Sequence, residues 1–363
     1  MNWKPGESSA ALTPCDMQIM AQCNIPLCEI IRHNRPNKHI PPLWSVLSYV
    51  MLQRNATVEG VWYHFRLLRR MAEKTPACYY RCQIPKAAGG VRNLYVPTFF
   101  LQKEQRYIMD TILSALPVDD HAYAYRKGIS MADCAKPHVG QDVLIHLDIK
   151  NFFGSVTENM VYETLFSETG YNKALCRLLA RLCCLYGSLP QGAVTSPMLS
   201  NIVFRKCDIA LARLADRHHM AYTRYSDDLF FSGGQAVNVK DFLKEASETL
   251  LHFGFKLNEE KTKVRRRQHR QEVLGLTVND RVQVNRGYRR KLMQELYYLE
   301  RFGQNCVGAL AEGDYLKYMQ KLQGKLAYVL HIDPDNSSLW DAHLKLTLRM
   351  NRYAFLQERG FVS

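Results

Sequence analysis

The stretch TRYSDDLFF, residues 223–231, sets two adjacent aspartates between apolar and aromatic runs, and no other feature restricts the fold of this chain so closely. Apolar runs on either side of a tight polar centre predict strand, tip and strand. Asp227 and Asp228 then sit side by side at the tip, where like charges repel. Either something positive sits there or the tip faces water. As bare sequence the stretch is no more than a polar hairpin turn.

A third carboxylate adds to the signal. VLIHLDIKNFF (143–153) starts as a buried strand and carries Asp148 near its C-terminal end. Carboxylates at neighbouring strand ends would make an oxygen-rich, strongly negative site. Hard divalent cations suit such a site, since Mg²⁺ prefers oxygen ligands and commonly takes one or two carboxylates plus substrate phosphates. Two such ions about 4 Å apart stabilise both the attacking and the leaving oxygen of an in-line phosphoryl displacement. Asp148, Asp227 and Asp228 are the expected ligands, and binding the ions would relieve their repulsion.

Around these strands the chain mixes helices and antiparallel pairs. Residues 1 to about 75 read as helical segments, broken at RHNRPNKHIPP (32–42) by three prolines. YYRCQIP and RNLYVP read as strands joined through Gly89–Gly90. SVTENMVYETLFSETG reads as a helix with Ser155 and Glu158 at capping-box spacing and Gly170 as its end. A second helix opens with Ser196 as N-cap and Pro197 at its first position. VKDFLKEASETLLHF is a third, EVLGLTVNDRVQVN (272–285) is a hairpin turning at Asn279–Asp280, and the chain after 286 is mainly helical. Without a βαβ alternation the fold class is α+β. No P-loop and no dinucleotide fingerprint occurs.

The balance of charge points to the partner. Lys and Arg number 48 against 34 Asp and Glu, a net +14, concentrated in KTKVRRRQHR (261–270), RVQVNRGYRRK (281–291) and FRLLRR (65–70). Clustered positive charge favours a polyphosphate through counterion release, although any one run alone is equally a solvated face. The start lacks a signal-peptide profile and the longest apolar stretch is too short to span a bilayer. The 11 cysteines follow no disulfide or zinc framework, which fits a reducing, cytoplasmic setting.

Taken in order, LDIKNFF, LPQGAVTSPMLSN, YSDD, FGFKLNEEKT and VLGLTVN resemble the motif series of reverse transcriptases, over about residues 84–285. Among these the chain is most similar to the retron-type enzymes of bacteria, within the group II intron-like superfamily. Their Asn-Ala-x-x-His element reads CAKPH here, with Cys134 in place of asparagine and His138 retained; their Val-Thr-Gly reads Val273-Leu274-Gly275. LQGKLAYVLHIDPDN (322–336) resembles their thumb helix, and a chain of 363 residues is expected to lack the maturase and endonuclease extensions of long intron proteins.

The resemblance implies a right-hand polymerase: an N-terminal helical extension (1–75), fingers and an antiparallel palm (76–285) and a helical thumb (286–363). It implies catalysis by Asp148, Asp227 and Asp228 with two Mg²⁺ ions, Mn²⁺ being a substitute, and adds Ile149 to the metal-holding positions. Lys261 corresponds to a lysine that protonates departing pyrophosphate, though as bare sequence it is a helix-end lysine. Arg92, aided by Lys86, corresponds to the finger cation that clamps the incoming triphosphate. Phe153 stands where a ring rejects a 2′-hydroxyl, and Gln191 and Gly192 in the nucleotide-pocket loop. Arg265, Arg266, Arg267, Arg289 and Arg290 are placed to meet the backbone of a template–primer hybrid.

The expected function is therefore RNA-directed DNA synthesis from dNTPs. The template is a dedicated structured non-coding RNA, priming uses one of its 2′-hydroxyls, and the setting is anti-phage defence with an effector or toxin protein and no membrane. Three alternatives stay open: a defence reverse transcriptase primed otherwise, an intron-type enzyme, and an RNA-binding scaffold for a toxin partner.

Overall fold

The computed structural model describes residues 58–85, 89–303 and 314–359. Most of the expected N-terminal extension, including its proline-broken stretch, and Lys86 lie outside the described residues.

Helix α1 (Val58–Glu73) leads into strands β1 (Tyr79–Pro85) and β2 (Val91–Pro97) and helix α2 (Phe99–Thr111). Next come α3 (Met131–Ala135), β3 (Val143–Asp148), the one-turn α4 (Phe152–Ser155), α5 (Glu158–Thr169) and α6 (Lys173–Cys183). The long α7 (Ser196–Arg217) precedes β4 (Met220–Tyr225), β5 (Asp228–Gly233), α8 (Val239–His252) and β6 (Lys263–Arg266). Three short strands, β7 (Glu272–Val273), β8 (Leu276–Thr277) and β9 (Gln283–Val284), are followed by α9 (Arg286–Phe302), α10 (Asp314–Ile332) and α11 (Ser337–Glu358). The described residues fall into two compact units, those up to Leu116 with Val156–Ser196, and Pro117–Ser155 with those from Pro197 onward.

In the first unit β1 and β2 pair from Tyr79↔Pro97 to Pro85↔Val91, and Gly89 and Gly90 both take the left-handed φ that their turn needs. Helix α6 is the hub, with Leu175, Leu179 and Leu182 fully buried. The Gln105 amide of α2 donates to the Leu182 carbonyl at 2.9 Å, tying α2 to it. Helix α5 is capped by Thr157, whose hydroxyl accepts from the Met160 amide, and not by Ser155. The Ser155 hydroxyl instead donates to the carbonyls of Lys150 and Asn151, back into the preceding turn. Gly170 closes α5 at a φ of 72°, as expected. Ser196 begins α7 itself, its hydroxyl donating to the Pro190 carbonyl.

The second unit is built on a four-stranded sheet in the order β4-β5-β3-β6, antiparallel throughout. Strand alternation gives its two faces different duties. On one face Ile145, Leu147, Leu229 and Phe231 are fully buried. Phe231 meets Phe242 of α8 edge-on at 4.8 Å and stacks on Tyr222 at 4.6 Å. The other face carries Leu144 and Phe230, which join one core with Val273 and Leu276 of the small β7-β8-β9 sheet and Leu292, Met319, Leu326 and Leu346 of α9 to α11. The central strands are covered on both sides, so β3 and β5 read as nearly continuous apolar runs. Their polar residues collect at one end.

Candidate active site

That end is where β3 stops and β5 starts. Asp148 pairs directly across from Asp228, and Asp227 stands in the turn between β4 and β5. A two-residue turn needs an unusual backbone, and Ser226 supplies it with a φ of +61°. The Ile149 amide donates to the Asp227 carbonyl at 3.0 Å, so the exit of β3 is tied to the tip. Strand pairing alone thus brings Asp148, Ile149, Asp227 and Asp228 to one place.

Each carboxylate has a different environment. Asp148 is buried; it accepts from Asn258 Nδ2 at 2.9 Å and from Lys261 Nζ at 3.0 Å, and its carbonyl accepts from the Asn258 amide. Asp228 meets His146 Nε2 at 2.6 Å, and that imidazole lies flat on Phe230, 4.7 Å between centroids. Burial raises the Asp227 carboxyl above its ordinary value, and the charge of Asp228 raises it further. Among the described residues no three His, Cys, Asp or Glu side chains converge as a group that could hold a metal ion. In this arrangement Lys261 and His146 engage Asp148 and Asp228. The donor set nevertheless fits hard divalent cations: three carboxylates gathered on adjoining strand ends supply the oxygen ligands that such ions prefer. His146 and Asn258 were not foreseen. Alternation carried the signal for His146, which lies two residues before Asp148 on the same face of β3.

Phe153 belongs to the second unit, and Arg92, Gln191 and Gly192 belong to the first. In the second unit Phe153 is half-buried, its ring 5.6 Å from Phe152, which in turn packs on Phe204 and Phe255. In the first unit the Gln191 carbonyl accepts from the Tyr95 amide of β2 at 2.7 Å. Gly192, at a φ of 114°, lies so close that a Cβ would come 2.8 Å from the Tyr95 carbonyl oxygen. Only glycine meets both conditions without strain. Arg92 is exposed on the same strand β2.

Cys134 and His138 are internal. His138 is fully buried, with Nδ1 2.7 Å from the Ser232 hydroxyl and Nε2 2.8 Å from the Thr223 hydroxyl. Burial lowers its pKa to about 3, so the ring is neutral. The Cys134 thiol lies 3.2 Å from the same Thr223 hydroxyl, its pKa pushed up to about 12 by burial. The two residues brace β4 and β5 from behind the tip. The Gly140 amide also donates to the Val278 carbonyl, joining this segment to the late hairpin.

Arg265 and Arg266 are exposed on the edge strand β6, Arg267 follows them, and Arg289 and Arg290 lie in the first turns of α9. An open cleft beside Asp228 is lined by His146, Lys263, Arg265, Arg270 and Leu274, which gives it a basic wall.

The antiparallel sheets and helical additions are those of the right-hand polymerase class. Residues 84–278 match the family described as reverse transcriptase (RNA-dependent DNA polymerase). The chain is 33% identical over 314 residues to the retron Mx65 reverse transcriptase of Myxococcus xanthus, covering 82% of this chain and 70% of that one. It is 27% identical to the retron Ec86 reverse transcriptase of Escherichia coli, covering 67% and 72%. The chain belongs to the reverse transcriptase family, the RNA-directed DNA polymerases, and within it to the retron type. Two solved structures that the chain resembles are more distant. Apo telomerase from Candida Tropicalis has a TM-score of 0.43 at 13% identity, over 77% of this chain and 57% of that one. A foamy viral protease–reverse transcriptase with ds DNA gives 0.41 at 13%, over 76% and 45%. No helix of the described residues is long and apolar enough to cross a membrane.

Proposed function

We propose that this reverse transcriptase copies a dedicated structured non-coding RNA into DNA, primed by a 2′-hydroxyl of that RNA, at the site formed by Asp148, Asp227 and Asp228. The observation that carries the site is the direct pairing of Asp148 with Asp228, Asp227 being the next residue in the turn. The retron part rests on the named retron relatives.

In the reaction a hydroxyl gives up its proton to water, its oxygen bonds to the α-phosphorus of a dNTP, the α–β phosphoanhydride bond breaks, and pyrophosphate leaves. Asp148, Asp227 and Asp228 would hold two Mg²⁺ ions, or Mn²⁺ in their place, with Ile149 able to add only its backbone oxygen. Such ions supply charge neutralisation at the attacking and leaving oxygens. Lys261, now 3.0 Å from Asp148, is the proton donor to the departing pyrophosphate. Arg92 and Lys86 clamp the triphosphate, the Gln191–Gly192 backbone and amide approach the sugar, and the Phe153 ring excludes a ribose 2′-hydroxyl. Arg265, Arg266, Arg267, Arg289 and Arg290 neutralise phosphates of the hybrid product. Cys134 and His138 act from within, by fixing the strands that carry the tip. The setting is cytoplasmic anti-phage defence, together with an effector or toxin protein.

The test is purification from the native locus, with the bound nucleic acid treated separately by RNase and DNase. DNA covalently joined to a discrete RNA, absent in Asp227→Asn, is the expected result. DNA without a fixed template, or DNA attached to protein, would leave the polymerase and remove the retron-type priming. Absence of any nucleic acid, with no dNTP incorporation on a supplied RNA template, would overturn the site as well.

A further inference from the structure

Behind the tip lies a closed ring of polar contacts that the carboxylate chemistry does not use. Arg224, the residue before Tyr225, points to the face opposite Thr223 and is fully buried. Its guanidinium grips Asp208 of α7 with two bonds, Nε to Oδ1 at 2.8 Å and Nη2 to Oδ2 at 2.7 Å. The remaining nitrogen, Nη1, donates to Asn201 Oδ1 at 3.0 Å and to the Ser226 carbonyl at 3.1 Å. Asn201 in turn donates from Nδ2 to the Ala124 carbonyl at 2.8 Å. The next residue, Tyr125, sits at a φ of +63° and brings its hydroxyl within 2.9 Å of the Ser226 hydroxyl. Segment 121–125 is itself bonded to β4, with the Arg224 amide donating to the His121 carbonyl and the Tyr123 amide to that of Arg224. The ring therefore runs Arg224, Asn201, Ala124, Tyr125, Ser226 and back to Arg224.

We infer that Arg224 is a positioning residue for nucleotidyl transfer, which with Asn201 and Tyr125 fixes Ser226 in its left-handed conformation and so aims Asp227 and Asp228. This rests on the reading of the three aspartates as the catalytic site. Ser226 is held at both its carbonyl and its hydroxyl, and a non-glycine residue at positive φ persists only where its surroundings over-determine it. The fork of arginine is required, because no other cation can bond Asp208 twice and still reach both Asn201 and the tip. A lysine would keep the charge opposite Asp208 and lose that reach. Misplacing reacting groups by about 1 Å costs on the order of a hundredfold in rate, whereas substrate affinity depends on other contacts.

The experiment compares wild type, Arg224→Lys and Tyr125→Phe in single-nucleotide extension on an RNA template, in thermal melting, and in amide hydrogen exchange of residues 225–228. Arg224→Lys should lower kcat at least tenfold and Tyr125→Phe several-fold. In both, KM for dNTP should stay within about twofold and exchange at the tip should be faster. Arg224→Lys decides the matter where it melts as a folded protein, and Tyr125→Phe decides it where that variant does not. A folded deciding variant with wild-type kcat and wild-type exchange at the tip overturns the inference. A wild-type protein that extends nothing overturns the catalytic reading instead.

Discussion

Arg224 and Asp227 stand three residues apart on one hairpin, and their charges are handled in opposite ways. Burial works against the Arg224 charge, and Asp208 more than offsets it, both side chains being fully enclosed and bonded twice to each other. Asp227 is pushed the other way: burial and then the neighbouring Asp228 make its charge costlier than in water. The base of the hairpin spends its polar groups on one another, while the tip keeps like charges close. A fully satisfied network behind a strained, repulsive turn is how a fold retains a conformation that the turn alone would abandon. Stability is drawn from the base and function from the tip.

Removing one charge from the tip should separate these two properties furthest. Asp227→Asn is expected to lower extension by about a thousandfold or more. It should also raise the melting temperature in EDTA at pH 7. The sign follows from the raised carboxyl: the native state holds that proton more tightly than the unfolded chain. Asp227 therefore costs stability progressively as pH rises past the unfolded value of 3.8. The gain in the variant should fade on acidification. Wild-type extension, or a lower melting temperature in EDTA, would break the contrast.

At the base the same kind of deletion should act on the fold. Asp208→Ala leaves Arg224 charged, buried and unpaired, at a cost of about 3–5 kcal/mol. Urea unfolding measures this directly, and a change under about 1 kcal/mol would show that water or another group takes the place of the carboxylate.

The difference between tip and base also decided what could be read in advance. The tip was legible because its parts are local: YSDD between apolar runs, and Asp148 at the end of another run, in an ordered series of motifs. The base was not, because Asp208 and Arg224 lie in different elements and each reads as an ordinary surface charge. Only the face of β4 that Arg224 shares with buried Tyr222 hinted otherwise. His138 was visible only as the retained histidine of the family motif; its two hydroxyl partners come from strands 85 and 94 residues later in the chain. The cap of α5 was misplaced by two residues because Ser155 and Thr157 both fit, and the contacts of Ser155 with the preceding turn settle which one caps.

His138 gives a smaller effect on the other face of the hairpin. Its pKa lies at about 3 in the fold against 6.5 for the free side chain. The contribution of this group is whole above about pH 6.5 and is lost as the pH falls toward about 3, because the unfolded chain takes up the proton first. Each pH unit within that window removes at most about 1.4 kcal/mol. Urea unfolding at pH 7 and pH 5.5 should show wild type losing about 1 kcal/mol more than His138→Gln. Equal losses would mean that the ring accepts a proton in place, and that its clamp on Thr223 and Ser232 is looser than the base around Arg224.

The least costly residues belong to neither region. Arg265 and Arg266 lie on β6, the sheet edge beside β3, paired opposite Leu144 and Val143. Their charge protects an exposed edge from pairing with another chain, which alone would explain them. Phosphate binding makes a separate demand. Arg266→Ala should leave the melting temperature and the extension rate at saturating template–primer where they were. It should also reduce the slope of log affinity against log salt for an RNA–DNA hybrid by about one. An unchanged slope would reduce Arg266 to edge protection and confine the nucleic-acid path to other cations, Lys263, Arg265 and Arg270 of the cleft beside Asp228 among them. A reduced slope with unchanged rate would show that, on this sheet, binding the product and aiming the carboxylates fall to different residues, Arg266 in water and Arg224 sealed from it.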